Sequence, residues 1–243
     1  MGVCAAAALV LAACQGDPQP GSAAAGAPST VATAQTTTST PSTDKSSGKP
    51  TSAGTLTTKA PQPAALPDDP RNISIIVGGD VLLHGGLTDQ AKTDAAANPA
   101  QATHGLDYYP LLAGAKPFLA KADLALCNLE TPLAPIGGPY SGYPVFTVPQ
   151  DILPALTDAG VDACTTASNH SIDAGFTGIT RTLDAMDAAG LRHIGSSRSA
   201  AEAASPLILE AKGVKIAVLA AAYGLNGFQL PADKPSAVNI IDA

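Results

Sequence analysis

Three places along the chain put groups capable of chemistry directly behind short apolar runs. Residues 72–77 (NISIIV) lead into Gly78-Gly79-Asp80. Residues 124–127 (LALC) lead into Asn128-Leu129-Glu130. Residues 161–166 (VDACTT) lead into Ser168-Asn169-His170, with Asp173 and Gly175 just beyond. The donors on offer are carboxylate and amide oxygens and one imidazole, with no thiolate among them. Such a set suits Mn²⁺, Mg²⁺, Fe or Zn²⁺ better than a soft-metal site. A histidine beside it can pass a proton or a hydrogen bond near neutral pH. Asp173 also reads as a residue of the lead-in to a following helix, where a carboxylate favours the helix N-terminus. His84, His104 and His193 read as structural or exposed residues rather than ligands.

Groups behind three apolar runs meet only if the runs are neighbouring, parallel strands. The rest of the pattern supports that arrangement. Residues 109–121 (YPLLAGAKPFLAK) have helical spacing with Pro117 as a possible break, and residues 151–159 (DILPALTDA) form a helix closed by Gly160. Residues 176–189 form an amphipathic helix with Ile179, Leu183 and Met186 on one face and Gly190 behind it. Residues 191–194 read as a short strand, and 206–211 and 214–222 as a hairpin about Lys212-Gly213. The apolar 214–222 run reads as buried on both faces. Strand and helix alternate, so the fold class is α/β, a mixed, partly parallel sheet flanked by helices. Ligands in such sheets bind beyond the carboxyl ends of the strands, where Asp80, Glu130, Asn169 and His170 fall. The Gly/Pro-rich stretch 135–149 reads as a loop bordering that cleft.

The 70 residues ahead of this pattern have a different character. Residues 1–14 contain the apolar run VCAAAALVLAA and end in Leu11-Ala12-Ala13-Cys14, although no Lys or Arg precedes Val3. They read as a lipoprotein signal peptide with Cys14 as the acylated residue. Two acyl chains suffice for stable membrane anchoring. Residues 15–70 are rich in Pro, Ser, Thr and Ala and almost free of large apolar side chains, which makes them a disordered tether. Residues 71–243 are then the folded domain. The whole chain has 243 residues, 13 Lys+Arg against 20 Asp+Glu and a net charge of −7, which argues against nucleic acid as a partner. No run of about 18 apolar residues spans a bilayer. Of the four cysteines, Cys4 leaves with the signal and Cys14 carries lipid. Cys127 and Cys164 sit in apolar runs and read as buried free thiols, with a disulfide open only if their strands are neighbours.

The segments G-G-D-V-L-L, N-L-E-T-P-L and S-N-H-S-I-D-A-G-F-x-G-I resemble the CapA family, the poly-γ-glutamate capsule synthesis proteins. The stretches A-x-Y-G-x-N-G (221–227) and V-N-I-I-D (238–242) are similar to it as well, so the resemblance runs in order from Ile73 onward. It implies a calcineurin-like metallophosphoesterase-type sandwich with a divalent, dinuclear metal centre. By that resemblance Asp80, Glu130 and Asn169 hold metal and His170 is the catalytic group. Two departures stand out. Leu82 occupies the place of the superfamily's early histidine, and no His-Trp-Gly-x-Glu segment occurs before Ala243, so the domain reads as incomplete at its C-terminus. The function implied is a surface-anchored, extracytoplasmic protein of capsule or poly-γ-glutamate assembly or export, with a metal-dependent hydrolase site. Its partners would be a polyanionic polymer or its synthesis and export machinery, and the membrane through the lipid anchor. The alternative is a non-catalytic scaffold or polymer-binding lipoprotein on the same fold.

Overall fold

The computed structural model describes residues 72–241. The signal peptide with Cys14 (1–14) and the tether (15–70) lie outside the described residues. Four strands, β1 (Ile75–Val81), β2 (Leu124–Leu129), β3 (Ala163–Thr165) and β4 (Arg192–Ile194), form one sheet in the order β1-β2-β3-β4, all parallel. The connections run through α1 (Gly85–Ala97), α2 (Tyr109–Leu112) and α3 (Lys116–Leu119), then α4 (Ile152–Ala159), then α5 (Gly175–Ala188). After β4 come α6 (Ala200–Ala203) and an antiparallel hairpin of β5 (Leu207–Ala211) and β6 (Val214–Val218). The chain therefore has the expected α/β class, with the hairpin forming a sheet of its own.

Alternation along the strands sorts the core into two layers. Ala125, Cys127 and Leu129 of β2 and Cys164 of β3 pack with the helices. Leu124, Leu126 and Ala163 face the other way and pack against Leu207, Leu209, Ala211 and Val218 of the hairpin. Helices thus cover one face of the parallel sheet and the hairpin covers part of the other. Ile179, Leu183 and Met186 of α5 are buried, as the helical spacing requires. Deleting such a side chain removes about 2–5 kcal/mol.

Local chemistry explains the breaks. Pro110 and Pro117 each sit in the first turn of a four-residue helix, so the helix expected over 109–121 is two pieces, α2 and α3. Gly160 ends α4 at φ 96°, and a Cβ there would lie 2.8 Å from the Ala120 Cα, so no other residue fits. Lys212 and Gly213 both have positive φ, the conformation a two-residue hairpin turn demands. The run beginning at Val214 is not buried on both faces. Val214, Lys215 and Ala217 are exposed, and only Val218 of β6 is buried, because β6 lies on the outer side of a two-stranded sheet.

Cys127 and Cys164 are a disulfide, not free thiols. They are directly paired in the β2–β3 register with Cα atoms 4.4 Å apart, within bridging distance. The strand neighbourhood that decides this is a long-range property.

Candidate functional site

Asp80 reaches the site through an irregularity in β1. Val77 pairs with Leu126 and Asp80 with Asn128, so β1 spends three residues where β2 spends two. The extra residue falls at Gly78-Gly79, with Gly79 at φ 77°, a left-handed backbone that glycine adopts without strain. Strict alternation would turn Asp80 to the helix side, away from Val77. The bulge restores it to the face shared by Val77, Leu126 and Asn128. There Asn128 Nδ2 donates to Asp80 Oδ1 at 2.9 Å, and Thr165 Oγ1 donates to Asn128 Oδ1 at 2.8 Å. The ends of β1, β2 and β3 are joined side chain to side chain.

The loop after β3 supplies the next groups. Ser171 Oγ donates to the Thr166 carbonyl at 2.7 Å and accepts from the Ser168 N–H at 2.7 Å, while Ser168 Oγ donates to the Glu130 carbonyl. This polar stitching binds the His170 loop to the loop after β2. His170 is buried, and its Nδ1 lies 2.7 Å from Asp173 Oδ2, which also accepts from the Phe146 N–H at 2.7 Å. Asp173 belongs to the lead-in to α5 as expected, and its carboxylate has this second role. A carboxylate accepts only, so Nδ1 carries the proton shared with Asp173.

Phe146, from the Gly/Pro-rich loop, stands edge-on between two imidazoles, 5.2 Å from His84 and 4.9 Å from His170. Asn226 approaches from the loop beyond β6. Its Nδ2 lies 3.4 Å from each His170 ring nitrogen, and its Oδ1 accepts from Asn169 Nδ2 at 3.2 Å. Glu130 is half-buried, and its carboxyl is held above the usual range by burial and then by the charge of Asp80, against the opposing pull of His170 and His84. Hydrogen bonds tie Asp80 to Asn128, the Glu130 backbone carbonyl to Ser168, and Asn169 to Asn226, which also approaches His170.

Sequence reasoning named Asn128 behind its apolar run and Asn226 within a family-like motif without giving either a role, and it passed over Thr165 and Phe146. It read His84 as structural or exposed, and His84 is exposed. His104 pairs with Asp151 at 2.8 Å and His193 with Asp187 at 3.1 Å, both away from this edge. A cavity of about 290 Å³ beside β4 is lined by Arg192 and Arg198. Arg198 there is already engaged by Asp184, Asp187 and Glu202, which leaves little charge to offer a ligand.

By donor chemistry the predicted metal residues suit a hard cation: two carboxylates, one with raised proton affinity, and a side-chain amide. Among the described residues no three His, Cys, Asp or Glu side chains form a group set to hold a metal ion. Any cation here would rest on Asp80, Glu130 and Asn169 and keep open positions.

The fold is a four-stranded parallel α/β sheet with acidic, amide and imidazole side chains near its carboxyl edge. The model of the bacterial capsule synthesis protein family PGA_cap matches residues 74–240, and the chain belongs to that family. The chain is 36% identical over 75 residues to a probable polyglutamine synthesis accessory protein of Mycobacterium tuberculosis, covering 30% of this chain and 20% of the relative. It is 29% identical over 148 residues to an uncharacterized protein of Sinorhizobium fredii, covering 56% of this chain and 30% of the relative. The match spans about a fifth of the length of the mycobacterial relatives.

Proposed function

We propose that the protein serves the assembly or export of a poly-γ-glutamate-type capsule polymer, held at the outer face of a bacterial membrane by lipid on Cys14. Membership of the capsule synthesis family supports the process. The buried Cys127–Cys164 disulfide supports an oxidising compartment outside the cytoplasm. The metallophosphoesterase-type sandwich remains part of this proposal, with the β1–β4 sheet as one of its layers.

The observation that carries the site is the meeting of three strand ends: Asp80 bonds Asn128, Asn128 bonds Thr165, and Ser168 ties the His170 loop to the Glu130 carbonyl. Asp80, Glu130 and Asn169 would hold a divalent cation, which when bound supplies Lewis-acid polarisation of a phosphoryl or acyl oxygen. His170, its Nδ1 proton directed at Asp173, offers Nε2 as an acceptor, and as a donor once that nitrogen is protonated, to a substrate group that displaces Asn226. Phe146 excludes water from one side of the ring. A chain of net charge −7 repels a polyanion, and a cation on the acidic edge would bridge the two. The same argument supports the second reading, a binding module that uses the cleft without chemistry.

The test is complementation of a strain deleted for the gene. Asp80→Ala and His170→Ala should both abolish surface polymer if the site is catalytic. Retention of polymer by His170→Ala alongside loss with Asp80→Ala would favour the binding module. Full polymer from both variants would refute a role for this edge. Cys14→Ala should release the protein from the membrane fraction.

A further inference from the structure

Two side chains at the strand ends, Asn128 and Thr165, have been assigned no role above. We propose that Thr165 and Asn128 form a positioning relay that sets the orientation of the Asp80 carboxylate. The inference rests on the proposed reading of Asp80 as a cation ligand.

An amide can present either its oxygen or its nitrogen to a neighbour, and the two faces have opposite effects on a carboxylate. The Asp80 carboxylate, which only accepts, removes that freedom by taking Asn128 Nδ2. The buried Thr165 hydroxyl, also 3.4 Å from the Cys127 carbonyl, donates to Asn128 Oδ1 at 2.8 Å and holds the amide in place. Asn128 Nδ2 donates to Asp80 Oδ1 at 2.9 Å and leaves Oδ2 for a ligand. Asp80 is exposed, so the β1–β2 ladder that fixes its backbone leaves its side chain to be held by other groups. The relay supplies the missing constraint from β3, two strands away.

Register keeps the relay in place. Thr165 pairs with Asn128, and the residues immediately before them, Cys164 and Cys127, are covalently joined. The disulfide faces the helices while the relay faces the opposite side of the sheet, so the bond fixes alignment without occupying the site.

The experiment compares wild type, Thr165→Val and Thr165→Ser by two readouts. One is the Asn128 side-chain amide signal in ¹H–¹⁵N spectra, assigned with Asn128→Leu. The other is Mn²⁺ affinity by calorimetry. Thr165→Val keeps shape and loses the hydroxyl, while Thr165→Ser keeps the hydroxyl. The expected result is a slowly exchanging Asn128 amide in wild type and Thr165→Ser that is lost in Thr165→Val. Mn²⁺ affinity should fall about tenfold in Thr165→Val, the scale of losing an outer-shell partner, and recover in Thr165→Ser. An Asn128 amide unchanged in Thr165→Val overturns the relay, as does full Mn²⁺ affinity in that variant. Wild type that binds no Mn²⁺ while the amide behaves as expected refutes the cation reading and leaves the relay standing.

Discussion

His170 and Asp173 are three residues apart in sequence and 2.7 Å apart in space, Nδ1 to Oδ2, with the Asp173 side chain wholly buried. The pair orients the imidazole of the loop after β3. It also ties the loop after β3 to Phe146, whose N–H shares the same carboxylate oxygen.

Asp173→Ala should release both donors. An unsatisfied buried donor costs about 1–3 kcal/mol, so the melting temperature should drop. The imidazole ¹⁵N shifts of His170 should lose the Nδ1-protonated signature. Unchanged shifts would mean that Asp173 does not set the tautomer.

Tyr108 predicts an alkaline limit to stability. Burial, chiefly, raises its phenol from the model-compound 10.0 to about 12. The folded state therefore holds the proton where the unfolded chain has lost it. Stability is intact below pH 10 and falls as pH rises through 10 to 12. The loss amounts to about 2–3 kcal/mol at the rate of 1.36 per pH unit. Tyr140, also raised by burial, acts in the same direction. Urea melts between pH 8 and 12 should show this slope, and Tyr108→Phe should flatten most of it. The same variant should lose about 1 kcal/mol at neutral pH with the hydrogen bond to Thr88 Oγ1.

The Cys127–Cys164 bond closes a loop with a sequence separation of 37. Cross-linking a loop of that size is worth about 2–4 kcal/mol through the unfolded state. The double variant Cys127→Ala/Cys164→Ala should melt lower than wild type by that amount. A free-thiol assay on unfolded, unreduced wild type should find neither cysteine titratable.

Much of this architecture is legible in the chain because the local signals agree. NISIIV, LALC and VDACTT each hold part of a strand, β1 and β2 running on through Asp80 and Asn128, and Ile179, Leu183 and Met186 keep helical spacing. Helix α1 escapes notice because its buried residues are only Thr88, Ala91 and Ala95, too small for a clear apolar stripe. The run from Val214 misleads because composition alone does not tell a central strand from one arm of a hairpin. Within the site, Asp80, Glu130, Asn169 and His170 stand behind apolar runs and can be picked out one by one. The roles of Phe146 and Asn226 cannot, although the 135–149 loop and the 221–227 stretch stand out, since which side chain arrives at the site depends on loops from distant parts of the chain. The disulfide and the Asn128–Thr165 contact depend on β2 and β3 being neighbours in one register. That fact belongs to the fold, not to either segment.

The central claim is that Asp80 and Glu130 are two sides of one cation-binding edge. Anomalous diffraction from crystals soaked in Mn²⁺ tests it most directly. The account predicts a peak in contact with the carboxylates of Asp80 and Glu130, absent from crystals of Asp80→Asn soaked in the same way. No peak at that edge under saturating Mn²⁺, or peaks only at other carboxylates such as Asp187 and Glu202, would contradict it.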